Sequence, residues 1–244
     1  MKKLVCVCFV LVIFSAAAVA QKKTWTEWSK KDVDKTLSDS AWAQTQSEGR
    51  QDSPQQAQAI TGTTTSRRED SNISAAARVE SGENKPANSV KYHVRFLSAK
   101  PVRAAFARQV MLSQTTSNEE LNSQLAGFVN REFDEYIVVS VGVEVSDEKM
   151  ATRLTRVFTA ATTEALKQNV YLERKDGKKL FLMEYRAPTP DGMGAKFVFQ
   201  RIVDGQPFLS QNDSVHFVAQ LSEGMKLNTK YNLSEMLYEG KLEY

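Results

Sequence analysis

The cleanest period-two pattern in the chain runs through Ile137, Val139, Val141, Val143 and Val145, with one residue between each. Such alternation buries one face of a β-strand. Val90, Tyr92, Val94 and Phe96 repeat it earlier. Between these strands the spacing becomes helical. Val102, Phe106 and Val110 share one face, with Ser98 expected to cap that helix and Pro101 tolerated in its first turn. Ser117-Asn118-Glu119-Glu120 has the form of a capping box, and Leu121, Leu125 and Phe128 form the apolar stripe behind it. Ser146 is expected to open the longest helix, over residues 146–168, with Met150, Leu154, Val157, Phe158 and Ala161 turned to the core.

From Val170 the period returns to two. Asp176-Gly177 predicts a hairpin between residues 171–175 and 179–185, and Asp204-Gly205 predicts a second turn. Val215, Phe217 and Ala219 alternate in a further strand, and two last strands fall near 227–233 and 238–244. Strands gathered after helices argue for an α+β fold. The expected architecture is a mostly antiparallel β-sheet or β-sandwich with about three packed helices on one side. This globular domain spans residues 90–244.

The first residues follow another logic. Lys2 and Lys3 precede an apolar run from Leu4 to Phe14, and Ala18-Val19-Ala20 offers a small-x-small cleavage site before Gln21. Residues 1–20 are therefore expected to be a secretory signal peptide, too short in its apolar part for a spanning helix. The only cysteines, Cys6 and Cys8, lie inside it, so a mature chain would have no disulfide and no thiol nucleophile. The formal net charge of +3 falls close to zero once Lys2 and Lys3 are removed. That balance offers nothing to nucleic acid or to a polybasic membrane mode.

All three tryptophans, Trp25, Trp28 and Trp42, fall in residues 21–43. Ser29 is a good N-cap, Asp32 favours the helix dipole, and Trp28 and Val33 are spaced for a hydrophobic staple. Leu37 continues that face, which predicts a short amphipathic helix over 29–38. Residues 44–89 are rich in Gln, Ser, Thr, Gly and Arg, with Ile60, Ile73 and Val79 as their large apolar residues. Too little surface can be buried there to offset chain entropy, so a disordered polar linker is expected.

Three blocks together resemble a group of uncharacterised exported bacterial proteins. They are Trp25-Thr-Glu-Trp28-Ser running on to Ala41-Trp42, then Phe96-Leu-Ser-Ala-Lys-Pro101-Val-Arg103, and Tyr231-Asn-Leu233 through Tyr238-Glu-Gly240-Lys241-Leu242. Members of that group carry a Trp-x-x-Trp-Ser segment after a signal peptide, a linker and a C-terminal β-rich domain. Many have proline where this chain has Ala41. The resemblance implies a shared architecture and an envelope location, in the periplasm or outside the cell. It brings no catalytic residues.

Candidate chemistry is sparse. His93 and His216 are the two histidines, and no motif sets them near each other or near carboxylates at metal-ligand spacing. Glu132-Phe133-Asp134-Glu135 is the densest acidic group, and paired acids can hydrolyse glycosides when a fold sets them a few ångströms apart. Asp32 and Asp34 lack a calcium-loop pattern, and Asp191-Gly-Met-Gly194 is a short glycine turn rather than a phosphate cradle. Arg95, Arg103 and Arg108, with Arg153 and Arg156, could line an anion-binding face or simply be solvated.

The sequence thus names no catalytic residue, cofactor or metal ligand. Its leading reading is a non-enzymatic, exported interaction or accessory module of the cell envelope, whose partner is an envelope protein or polymer. Trp25, Trp28, Val33, Leu37 and Trp42 are its candidate binding residues. They either dock in trans on that partner or fold back in cis as a structural strap. The alternatives are a periplasmic carboxylate-dependent hydrolase, which needs acids gathered in a pocket, and a carrier of an apolar ligand, which needs a closed apolar cavity.

Overall fold

Residues 23–48, 89–116 and 118–244 are described in the computed structural model. The expected signal peptide, residues 49–88 of the expected linker, and Ser117 lie outside them. The chain is α+β and mostly sheet, with five α-helices and thirteen strands among the described residues. In order these are α1 (Lys30–Ser38), β1 (Ala43–Glu48), β2 (Val90–Phe96), α2 (Lys100–Ser113), α3 (Glu119–Asn130), β3 (Tyr136–Val145), α4 (Glu148–Ala160) and α5 (Thr163–Leu166). There follow β4 (Val170–Arg174), β5 (Lys179–Phe181), β6 (Glu184–Arg186), β7 (Ala195–Gln200), β8 (Ile202–Val203), β9 (Gln206–Pro207), β10 (Ser214–Ser222), β11 (Met225–Asn232), β12 (Leu237–Tyr238) and β13 (Lys241–Leu242).

Two antiparallel sheets share one core. The larger has the order β1-β2-β3-β7-β6 and the smaller β11-β10-β4-β5. The alternation in β2 and β3 sets Phe96 opposite Val139 and Val94 opposite Val141 on the inner face. Aromatic rings join the sheets: Phe96 meets Tyr231 edge-on with centroids 4.8 Å apart, and Phe197 meets Phe217 at 5.4 Å. The Tyr231 hydroxyl donates to the Val94 carbonyl at 2.9 Å, which satisfies the one polar atom of that buried ring.

One side of the sandwich is closed by the chain itself. The expected second hairpin strand divides into β5 and β6. Leu182 N–H donates to Val170 in the smaller sheet and Met183 N–H to Val198 in the larger. On the other side β1 faces β11, and the side chain of Gln46 bridges them. Its amide nitrogen donates to Lys226 O at 2.9 Å and its oxygen accepts from Asn228 N–H at 2.9 Å.

Strand β1 falls where the linker was expected to begin. Its sequence, Ala-Gln-Thr-Gln-Ser-Glu, has no large apolar residue, yet it pairs with β2 along its whole length, from Ala43 opposite Arg95 to Glu48 opposite Val90. Backbone pairing and Gln46 supply what apolar alternation does not.

Helix α1 lies on the outer face of the larger sheet against β1 and β2, and α2 packs on α1 and meets the outward Arg95 of β2 through Phe106. Val138 and Ser140, on the outward positions of β3, are buried. Ser98 does not cap α2 as expected. Its hydroxyl accepts from Val138 N–H at 3.0 Å and so extends the β2–β3 pairing. Ala99 is the N-cap residue, and the orphan Lys100 N–H is satisfied by the Glu243 carboxylate at 2.9 Å, from the far end of the chain. Helix α3 is capped by Asn118, whose Oδ1 accepts from Leu121 N–H.

The long helix expected over 146–168 is two helices. Asp147 caps α4 and Thr162 caps α5. The break is fixed by β6, since the Tyr185 hydroxyl donates to Phe158 O at 2.5 Å and Thr163 Oγ1 accepts from Tyr185 N–H at 3.0 Å. Helix α4 crosses one end of the sandwich against β3 and β10, with Leu154 and Phe158 buried beneath it.

Candidate functional site

The tryptophan segment lies on the body of its own chain. Val33 is 1 % exposed and Leu37 5 %, both within the main core. The capping box forms as the sequence requires: Ser29 N–H donates to Asp32 Oδ2 at 2.9 Å and Asp32 N–H to Ser29 Oγ at 3.3 Å. The Ser29 hydroxyl, which donates to Asp32 Oδ2 at 2.7 Å, and then Ser29 N–H hold the Asp32 carboxyl below its ordinary value. Trp28 is half-buried and touches both the main core and a smaller cluster of Ala104, Ala107 and Val129, which Trp25 also covers. Trp42 is half-buried too. Its ring nitrogen donates to Glu243 O at 2.8 Å and its ring stands edge-on to Tyr238 at 6.3 Å. The apolar face of α1 is therefore used up in cis.

Three of the five candidate arginines act on this packing. Arg95 Nε donates to Leu37 O at 2.6 Å, and Arg108 Nε donates to Trp28 O at 2.8 Å. Arg103 Nε and Nη2 donate to Val129 O, at 3.3 and 3.1 Å, near the end of α3. Cations at helix C-termini meet carbonyls that the helix leaves unpaired. Burial pulls the Arg95 and Arg103 guanidiniums down to about 10. Both remain charged at neutral pH. Arg95 and Arg108 thus tie the N-terminal segment down rather than line an open anion-binding face.

His93 is the one histidine in contact with a carboxylate among the described residues. Its Nε2 lies 3.2 Å from Glu144 Oε2 and its Nδ1 3.0 Å from Thr45 Oγ1. A hydroxyl, an imidazole and a carboxylate in line are the parts of an activated nucleophile. However, Thr45 Oγ1 is also 2.8 Å from Ser38 O, and Lys91 Nζ holds Glu144 at 2.8 Å. Burial, then the charge of Arg95, lowers the His93 value. The three residues lie on the outer face of the larger sheet and border none of the three cavities described below. The arrangement fits a strand-to-strand tie better than a reaction centre. His216 sits on the outer face of the smaller sheet with Nδ1 3.0 Å from Asn228 Oδ1.

Glu132, Asp134 and Glu135 are all exposed. Glu132 and Asp134 border a polar cavity of about 340 Å³, where Arg103, Arg131 and Arg201 stand among them. No group of three or more metal-ligating side chains occurs among the described residues.

The apolar recess is at the other end of the sandwich. It has a volume of about 420 Å³ and lies between α4 and the rim formed by β1, β2 and the β10–β11 turn. Val90, Tyr92, Met150, Leu154, Val157 and Met225 wall it, and Glu48, Arg153 and Ser222 stand at its polar edge. Glu48 is the carboxylate to which the Tyr92 hydroxyl donates, at 3.3 Å. Burial and this neighbouring charge raise the Tyr92 phenol, which keeps its proton. A shallower groove of about 590 Å³ continues on the other flank of α4, past Val157, Ala161 and Leu166. Sequence periodicity placed Met150 and Val157 on the core side of α4. Both are only half-buried, because the helix lies across the end of the sandwich rather than along a sheet. The contribution of Val90, Tyr92 and Met225 from distant strands had no local signal.

No family model matches the chain, and neither the curated proteins nor the solved structures include a significant match to it. No helix among the described residues is long and apolar enough to cross a membrane.

Proposed function

We propose that this chain is an exported, non-enzymatic binding module of the cell envelope that receives an aliphatic group in the recess beside α4. The observation that carries this reading is the recess itself. It has apolar walls from three separate elements, β2, α4 and β11, a polar edge of Glu48, Arg153 and Ser222, and a volume of about 420 Å³. Small-ligand sites fall at roughly 300–1,000 Å³, mostly apolar with a few polar groups that set orientation. Met150 and Met225 are flexible walls that adapt to the shape of an inserted chain. The polar edge suits a ligand whose aliphatic part enters and whose polar part stays at the rim. The recess opens to solvent, which favours a chain inserted from outside over a fully enclosed cargo.

The tryptophan helix supports this module as a strap, not as its docking face, because Val33 and Leu37 are already buried. Export rests on the signal-like first residues and on the resemblance of the three sequence blocks.

A neutral fluorophore, N-phenyl-1-naphthylamine, tests the site. Wild type should bind it saturably, an aliphatic alcohol should compete, and Val157→Arg should weaken binding at least tenfold while leaving the melting temperature within a few degrees. Equal binding by wild type and Val157→Arg, or no saturable binding by wild type, would sink the proposal.

A further inference from the structure

The end of the sandwich opposite the apolar recess has a different character. Its cavity of about 340 Å³ lies between the first turn of α2, the last turn of α3 and the closing β12–β13 segment. Five cations border it: Lys100, Arg103, Arg131, Arg201 and Lys241. The carboxylates there are Glu132, Asp134 and Glu243. Glu243 Oε2 accepts from Lys100 N–H at 2.9 Å, and its charge also acts on Arg103 and Arg201. Glu239 Oε2 lies 3.6 Å from Lys100 Nζ, so five cations stand beside four carboxylates and the excess is a single positive charge.

The cations are also positioned. The Arg103 and Arg131 guanidiniums both lie over the Phe133 ring, at 4.7 and 5.6 Å from its centroid, so one aromatic side chain sets two charges on the same wall. Arg201 lies over the Tyr244 ring at 4.1 Å and also donates to the main-chain oxygen of Tyr244. Arg103 is 3 % exposed. Its acceptors are the carbonyls of Ser98, Val129 and Arg131, so no carboxylate neutralises it directly. Burial works most strongly against the Arg103 charge; Glu243 supports that charge, and Arg201 and Arg131 oppose it. A cluster of like charges held together by carbonyls and rings is relieved by an anion. Guanidinium groups pair with planar or tetrahedral oxyanions through two parallel hydrogen bonds.

We propose that this cavity binds a phosphate group, with Arg131 and Lys241 as the exposed groups that close on it. Arg103 and Arg201 supply a fixed positive field behind them. The group comes either from free phosphate or from the headgroup of an anionic lipid. This site stands apart from the apolar recess and does not depend on the function proposed for it.

The test uses the full mature chain at constant ionic strength. Inorganic phosphate should raise the melting temperature saturably, where sodium chloride does not. Arg131→Ala and Lys241→Ala remove exposed side chains, so the fold is kept, and each should weaken the apparent phosphate affinity about tenfold. Flotation with phosphatidylglycerol vesicles, against phosphatidylcholine, separates the sources. Binding to the former that both variants lose points to a headgroup. A phosphate response without vesicle binding points to the free ion. A phosphate effect unchanged in both variants, or absent together with vesicle binding, overturns the proposal.

Discussion

Gly194 has φ of +85°, in the left-handed region, and a Cβ there would run into the backbone of Val141 and Gly142. Gly142 in turn leaves room for Arg95, because a Cβ on it would lie 2.9 Å from Arg95 Nη1. The two glycines and the arginine form one stack. It lets β7 begin hard against β3 and lets Arg95 pass Gly142 to reach Leu37 O in α1. Gly192 shares the turn, with φ of +73°, but a Cβ on it would meet nothing within 4 Å. The two positions therefore separate backbone strain from collision. Gly192→Ala carries only the left-handed penalty, about 1 kcal/mol. Gly194→Ala adds a clash with rigid main chain, for about 3 kcal/mol or more in total. Urea denaturation of the two variants gives the comparison. Equal losses would mean that the close approach of Gly194 is not a constraint.

Among elements, the N-terminal segment has the most consequential placement. It contributes Val33 and Leu37 to the core, β1 to the larger sheet, Gln46 to the seam with β11, and Trp42 to the closing residues of the chain. A segment tied at so many points is part of the folding unit. Leu37→Ala should cost about 2–4 kcal/mol, the range for emptying a buried leucine site. A chain lacking residues 23–48 should lose its cooperative thermal transition, because β2 becomes a bare edge and Arg95 loses its Leu37 acceptor. Retention of the wild-type melting temperature by that chain would show the segment to be dispensable. The same segment marks what the sequence makes legible. The apolar alternation of β2 and β3, the Asp-Gly turns and the Ser29 cap are local, and each appears where periodicity and turn chemistry put it. Strand β1 is polar and its reason to form is β2, forty residues away in the chain. The α2 cap comes from Glu243, and the three helix-end arginines find carbonyls on other elements. The recess beside α4 was illegible for the same reason, since Tyr92, Leu154 and Met225 meet only in the fold.

At the scale of the whole molecule the sandwich has two unlike ends. Strand β2 begins at Val90, on the wall of the apolar recess, and the chain reaches the cationic cavity at Ser98. At roughly 3.3 Å per residue the two sites are about 25 Å apart. That exceeds the screening length of about 8 Å at physiological salt, so charge at one end is not felt directly at the other. Aromatic rings from both sheets fill the space between them, and such a core transmits a change only if it has a second packing to adopt. Independent sites are the expected result. Val157→Arg should weaken fluorophore binding at least tenfold without altering the phosphate response, and Lys241→Ala should weaken phosphate affinity about tenfold without altering fluorophore binding. Sites this far apart usually combine additively, so the double variant should match the summed stability changes within about 0.5 kcal/mol. Calorimetric titration of each ligand in the presence and absence of the other gives the coupling directly. A shift in fluorophore affinity on saturating phosphate would have to be matched by an equal shift in phosphate affinity. That outcome would replace two separate sites with a single module that reads an aliphatic chain and a phosphate together.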